Sequence, residues 1–369
     1  MLYKVASFLP LVLPVVTGSL VPLIADINAD AVVNLTSNVS LSRRALAPTI
    51  NFEDSNWIWT GEQAVGVRPF RKTVPSSNGT SPVCATIIIS SDDPYSIIVN
   101  GAEVGSSSVS DSNSSAVYTA GLSSGGTDVF AIAVNNTGEN SGFIAAILVD
   151  YTDGTTENLV TDSTWKTLQA APPGGWTSPS FNDSAWIEAV SEEAASRGTP
   201  PLPPALNMTG VSWIRTNETD SSGVDPIGHR PFRKTVTLPY GKAAVCGKVV
   251  ITADDAYTVY INGDNVGSSD IGWQSMQAYS IPMLDTAVNP VVIAVDSYNI
   301  EPSFAGFIAG VLLAYNDGTS ETLYTDDSWK TLTESTPDGF EATGLDDSAW
   351  INATEFIHPD SESVTVPFA

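Results

Sequence analysis

Ser91-Asp92-Asp93-Pro94-Tyr95-Ser96-Ile97-Ile98-Val99-Asn100-Gly101 recurs, with conservative changes, as Ala253-Asp254-Asp255-Ala256-Tyr257-Thr258-Val259-Tyr260-Ile261-Asn262-Gly263. The second version alternates in the period of two expected of a strand and ends in Asn-Gly, a strong short signal for a hairpin turn. The offset between the two is 162 residues, and it persists on both sides. Arg68-Pro69-Phe70-Arg71-Lys72-Thr73-Val74 returns letter for letter at 230–236, and Cys84 falls on Cys246. After a two-residue shift, Gly142-Phe143-Ile144-Ala145 matches 306–309, T-D-S-T-W-K-T-L at 161–168 matches T-D-D-S-W-K-T-L at 325–332, and D-S-A-W at 183–186 matches 347–350. Trp57-Ile58 matches Trp213-Ile214 at a shorter offset, so the second copy has six extra residues between its Trp and its first Arg. The chain is a tandem duplication.

Each copy runs for about 145 residues, near the commonest domain size. V-C-A-T-I-I-I-S, V-C-G-K-V-V-I-T, V-F-A-I-A-V-N and V-V-I-A-V-D are short β-branched runs, and no helical period is sustained over 12 residues. Short strands spaced by turn signals predict an all-β protein of two tandem jelly-roll β-sandwich domains, at 50–190 and 211–357. Residues 191–210 carry T-P-P-L-P-P and read as a semi-rigid spacer, and 358–369 as a C-terminal tail. D-S-A-W predicts a short helical turn capped by Asp183 or Ser184.

With 15 Lys+Arg against 41 Asp+Glu the net charge is −26, which argues against nucleic-acid partners. The apolar run Val5–Val16 has the length of a signal-peptide core, with cleavage expected after about residue 18 or near Ala25. No later run is long enough to span a bilayer, so membrane insertion is not expected. Arg43-Arg44 reads as a dibasic processing site or an ordinary exposed pair, which makes 19–49 a propeptide or a flexible segment. Nine sequons begin at Asn34, Asn38, Asn78, Asn113, Asn135, Asn182, Asn207, Asn217 and Asn352, the pattern of a secreted glycoprotein. Secretion permits a disulfide, but equivalent core positions of separate domains are usually far apart. Cys84 and Cys246 are therefore expected as two buried thiols.

The ordered set W-I-W, F-R-K-T-V, D-D-x-Y-x-x-x-x-N-G, T-D-x-x-W-K and D-S-A-W resembles the galactose-binding-domain-like jelly rolls. It is most similar to the sugar-binding modules attached to α-L-rhamnosidases. The resemblance covers nearly all of 50–357. It implies a carbohydrate ligand and a calcium ion held beside it. Carried over residue by residue, the ion and sugar ligands would be Asp92, Asp93 and Asn136 in the first copy, and Asp254, Asp255 and Asn299 in the second. Paired carboxylates before a strand are hard oxygen ligands suited to Ca²⁺. They serve equally as turn acids accepting backbone N–H groups. Asn136 also overlaps the Asn135 sequon, so a glycan would crowd the first site.

Trp165, Trp186, Trp329, Trp350, Trp57 and Trp213 are paired across the copies and read as core anchors. Trp59 faces Arg215 in the alignment, and Trp176 faces Phe340. Trp273 has no partner in the Ser-rich 106–115 loop, and an unpaired Trp in a variable loop suits stacking on a sugar face. Arg71 and Lys72 are expected to pair with acids such as Asp92 or Asp162, or else to contact a sugar or a carboxylate. Two histidines, His229 and His358, without triad or zinc spacing leave little catalytic inventory. The expected function is a secreted, non-catalytic, lectin-like protein with carbohydrate as partner. The competitors are a structural or adhesive surface protein and a glycoside hydrolase or lyase with an unrecognised site. The oligomeric state is not readable from the sequence.

Overall fold

The structure is a computed structural model that describes residues 50–75, 80–122, 126–138, 140–153, 155–192, 197–221, 223–283, 289–359 and 364–369. The signal peptide, the propeptide, Arg43-Arg44 and the sequons at Asn34, Asn38 and Asn78 lie outside the described residues. Within them every element is a strand, and the strands form four antiparallel sheets, two per copy. In the first copy one sheet runs, in order, Val190–Glu192, Trp57–Trp59, Phe143–Tyr151, Pro82–Ser91 and Asp111–Gly121, with Thr156–Val160 paired to Phe143–Tyr151. The facing sheet runs Ile187–Glu188, Lys166–Thr167, Gly66–Pro75, Thr127–Asn136, Tyr95–Val99 and Ala102–Ser107. The second copy repeats both orders, with Ala244–Asp254 beside Gly306–Tyr315 and Gly228–Val236 beside Val291–Asn299. The predicted all-β pair of sandwiches is the fold found.

The hairpin signal acts as its chemistry requires. Asn100 and Asn262 both sit at φ 53°, each followed by a glycine at φ 91°, the left-handed pair that Asn-Gly tolerates best. The strands on either side place Phe70, Ile87, Ile97, Phe130 and Trp165 in one core and Phe232, Val249, Val259, Val295 and Trp329 in the other. Burying one such side chain contributes about 1.5–3 kcal/mol. Trp59, which the sequence set apart, is fully buried against Phe70 with ring centroids 5.5 Å apart. D-S-A-W forms a turn rather than a helix, closed by Trp186 N–H to the Asp183 carbonyl at 2.9 Å. Its side-chain cap is Asn182, whose Oδ1 accepts from Ser184 N–H at 3.0 Å. The Asp183 side chain has another task. It pairs at 2.9 Å with Arg71, which is 1% exposed and also donates to the carbonyls of Trp176 and Ser178. Arg233 repeats this with Asp347. So Arg71 meets neither Asp92 nor Asp162. Lys72 bonds Thr164, whose hydroxyl in turn bonds Asp162.

One expectation is corrected. Cys84 and Cys246 form a disulfide with Cα atoms 5.8 Å apart. The physical reason is the way the copies pack. Strand Pro82–Ser91 is buried along its whole length: one face lines its own core, and on the other Ile88 is covered by Ile50, Phe52 and Trp57 while the Cys84 end meets strand Ala244–Asp254 of the second copy. Two copies packed through the same face bring equivalent residues together near the pseudo-symmetry axis, as in an isologous dimer. Cys84, Cys246, Leu312 and Ala314 cluster there. The Pro-rich stretch, read as a semi-rigid spacer, packs on both copies. Leu202 packs on the first sandwich and Leu206 on the second. The C-terminal tail bonds the stretch through Ala205 N–H to Pro367 O and Ala369 N–H to Pro203 O.

Lys248 lies in this interface at 3% exposure, with Asp150 of the first copy supplying opposite charge. Burial dominates and pushes its ammonium down to about 8. Between about pH 8 and its ordinary value of 10.5 the unfolded chain therefore holds more protons than the folded one. Stability contributed by this group rises with pH across that window. Guanidinium unfolding of the native chain and of Lys248→Met at pH 8 and pH 10 should show the native chain gaining relative to the variant. Equal pH slopes would refute the burial of a charged Lys248.

Candidate functional site

The two acid pairs occupy the same corner of each sandwich, between a long core strand and the hairpin strand that follows. Their surroundings differ. In the second copy Asp254 ends strand Ala244–Asp254, is 8% exposed, and lies 3.1 Å from Nε2 of His358. His358 comes from beyond the last strand of the copy, and its imidazole is flanked by Trp213 and Trp273 at centroid distances of 4.6 and 4.7 Å. The structure thus brings Trp273 to the acid pair, through His358. Asp255 accepts from Ile300 N–H at 2.8 Å. Burial holds its carboxyl above the usual range, and Asp254 and Glu301 add like-charge repulsion.

Asn299 ends strand Val291–Asn299. Its side-chain amide donates to the carbonyls of Asp225 and Pro226, each at 3.1 Å, and so pins the loop of the longer second copy. That loop fills the region opened by exchanging Trp59 for Arg215. A small cavity there is lined by Arg215, Asp225, Arg230, Phe232, Asn299 and Gly306. Arg215 pairs with Asp225 at 3.1 Å and lies 4.5 Å from the centre of the Phe356 ring. Arg230 pairs with Glu218 at 2.5 Å.

In the first copy the acids are fully engaged. Asp93 accepts from Thr137 N–H at 2.9 Å, from Thr137 Oγ1 at 2.7 Å and from Ser141 Oγ at 2.5 Å. Asp92 lies 2.6 Å from Nη1 of Arg197. Burial still leaves the Asp92 carboxyl above its ordinary value, with Arg197 and Ser112 pulling the other way. Asn136 repeats the role of Asn299, donating to the carbonyls of Gln63 and Ala64 at 3.1 and 3.2 Å. It is buried while Asn135 is exposed, because adjacent strand residues face opposite ways. Asn113, Asn182, Asn207, Asn217 and Asn352 are exposed as well. Among the described residues, no group of three or more His, Cys, Asp or Glu is arranged to hold a metal ion.

Sequence reasoning missed Arg197 and His358, the partners of the two acid pairs. Both follow the last strand of their copy, outside the repeated motifs. Scarcity was the available signal. Arg197 is the sole Lys or Arg between Lys166 and Arg215, and His358 is one of two histidines.

No family model matches the chain. Two solved structures of the lectin from Pleurotus ostreatus match it almost end to end. One is in complex with GalNAc and the other is the apo form. Both are 36% identical to this chain with a TM-score of 0.79, over 89% of this chain and 99% or 98% of theirs. The chain belongs to the family of that lectin. An α-L-rhamnosidase of Streptomyces avermitilis is 26% identical over 352 residues, covering 83% of this chain and 32% of the enzyme. The chain therefore spans about a third of the length of that curated relative.

Proposed function

We propose that the protein is a secreted, non-catalytic lectin whose sugar site is the Asp254–Asp255 and Trp273 corner of the second copy. The observation that carries this reading is the end-to-end likeness to a lectin solved with GalNAc. The corner adds chemical support, since a half-buried indole beside carboxylates offers an apolar ring for a sugar face and acceptors for its hydroxyls. The disulfide favours an oxidising, extracellular setting. The exposed sequon asparagines are open to glycosylation.

Calcium is part of the proposal for this copy alone. Two adjacent carboxylates before a strand are hard oxygen ligands suited to a divalent ion. Asp254 and Asp255 would hold it. Calcium takes six to eight oxygens, so Asn299 Oδ1 and backbone or sugar oxygens would have to complete the shell. Catalysis is disfavoured by the same geometry. Glycosidases need two carboxyls facing each other across the substrate, about 5–9.5 Å apart, whereas Asp254 and Asp255 are neighbours in the chain.

The test is calorimetric titration with GalNAc, galactose and L-rhamnose, with calcium and with chelator. Binding of at least one sugar is expected, weakened about tenfold or more in Trp273→Ala by loss of ring stacking. Calcium-dependent heat that disappears in Asp255→Asn supports the ion. Absence of heat with all three sugars at millimolar sensitivity would remove the lectin reading and favour a structural or adhesive protein. Release of reducing sugar from a glycoside would favour the hydrolase.

A further inference from the structure

We propose that Arg197 is a built-in counter-ion that closes the acid pair of the first copy to a divalent cation, so that the two copies are unequal by design of one residue. The inference rests on the acid pairs being cation sites, as read above for the second copy.

The duplication gives both copies the same two carboxylates, so a second ion site is the default expectation. The structure places a cation of the chain itself there. The Arg197 guanidinium lies 2.6 Å from Asp92 and 2.9 Å from Glu192, and its Nη2 donates to the carbonyls of Asn140 at 2.5 Å and Ser141 at 3.3 Å. Two carboxylates and two carbonyls around one positive centre are the kind of oxygen set that calcium takes. The guanidinium also rests 5.1 Å from the centre of the Trp57 ring, and its side chain is 12% exposed. Room is made for it by Gly142, where a Cβ would come within 2.0 Å of Nη1. Asp93, the other acid of the pair, has both oxygens taken by Thr137 and Ser141. An entering ion would have to expel a buried, four-fold-bonded guanidinium tethered to the same chain, or else face its charge at contact distance.

In the second copy no Lys or Arg among the described residues pairs with Asp254 or Asp255. No Lys or Arg follows Lys330 in the sequence, so the segment after its last strand cannot supply one. There Asp254 meets the imidazole of His358 and Asp255 accepts from the Ile300 N–H. One exchange in the segment after the last strand therefore decides which copy is open to an ion. It also makes the chain one-sited for ion-dependent binding, so avidity on a glycan surface would require more than one chain.

The experiment counts ions per full-length chain, using calcium alone in native mass spectrometry and terbium luminescence as a second readout. The native chain should bind one ion, a count unchanged by Asp92→Asn and abolished by Asp254→Asn. Arg197→Gln should gain one ion, Arg197→Lys should not, and Arg197→Gln with Asp92→Asn should lose the gain. A purely structural Arg197 would change stability without changing the count. The proposal is overturned if Asp92→Asn lowers the count of the native chain, or if folded Arg197→Gln gains nothing. Should Arg197→Gln not fold, the Asp92→Asn comparison decides. A native chain with no ion and an Arg197→Gln chain with one, lost with Asp92→Asn, would uphold this inference while removing calcium from the second copy.

Discussion

Replacing both cysteines by alanine should lower the unfolding free energy by about 2–5 kcal/mol and split unfolding into two transitions. The disulfide joins residues 162 apart, so in the unfolded chain it closes a loop that spans an entire copy. The chain-entropy account gives about 5 kcal/mol for such a loop. The alanine variant keeps most of the surrounding contact, since Ala314 and Leu312 still pack at the interface. The loss should therefore fall mainly on the unfolded state. Cutting the link also removes the covalent reason for the two sandwiches to unfold together, although Lys248 and the shared C-terminal tail still couple them. Guanidinium unfolding followed by tryptophan fluorescence in oxidised, reduced and Ala/Ala chains gives the result. A shift under about 0.5 kcal/mol, with a single unchanged transition, would mean that the interface alone holds the copies and the bridge is incidental.

What the sequence disclosed follows from how local each signal is. Asn100-Gly101 and Asn262-Gly263 fix their turns by backbone preference alone, so the hairpins and the duplication were legible at once. The run Val83 to Ile89, apolar except for Thr86, carried a second message. A strand with one solvated face alternates, whereas one covered on both faces does not. The run is consistent with a sheet covered on both faces, by Ile50, Phe52 and Trp57 over Ile88 and by the second copy at Cys84, where the disulfide forms. The acid pairs were also visible, because two adjacent carboxylates before a strand are a compact motif. Their partners were not. Arg197 lies 105 residues beyond Asp92 and His358 lies 104 beyond Asp254, each in a segment with no counterpart motif. Sequence pattern locates a charge but not the counter-charge that a distant loop delivers. For the same reason the sequence did not show that the side-chain N–H groups of Asn136 and Asn299 hold the loops at Gln63–Ala64 and Asp225–Pro226.

The repeated heptapeptide offers the second large effect. Arg71→Ala and Arg233→Ala should each destabilise the chain by about 3–5 kcal/mol, the cost of breaking a buried ion pair from one side. Each arginine is 1% exposed on the outer face of its sheet, beneath the loop that ends in D-S-A-W. Each holds that loop by a carboxylate and two carbonyls: Asp183, Trp176 and Ser178 in the first copy, Asp347, Phe340 and Ala342 in the second. In the first copy the guanidinium also lies 5.3 Å from the centre of the Phe181 ring, and Trp176 and Trp186 stack at 6.2 Å beside it. Truncation removes all of these bonds, leaves two carbonyls without their donor and opens a void under the aromatic pair. This explains why so acidic a chain spends scarce cations twice in the same seven residues: the arginine ties the first long strand to the last motif of its copy. A double-mutant cycle of Arg233→Ala with Asp347→Ala separates the pair from the carbonyl bonds. Because Asp347 is partly exposed, its single variant should cost less than the arginine variant, and the double should cost less than the sum by about 0.5–3 kcal/mol. Full additivity would mean that Arg233 works through the carbonyls alone. An Arg233→Ala chain as stable as the native one would mean that the D-S-A-W loop holds itself, and the duplication of the heptapeptide would then need another cause.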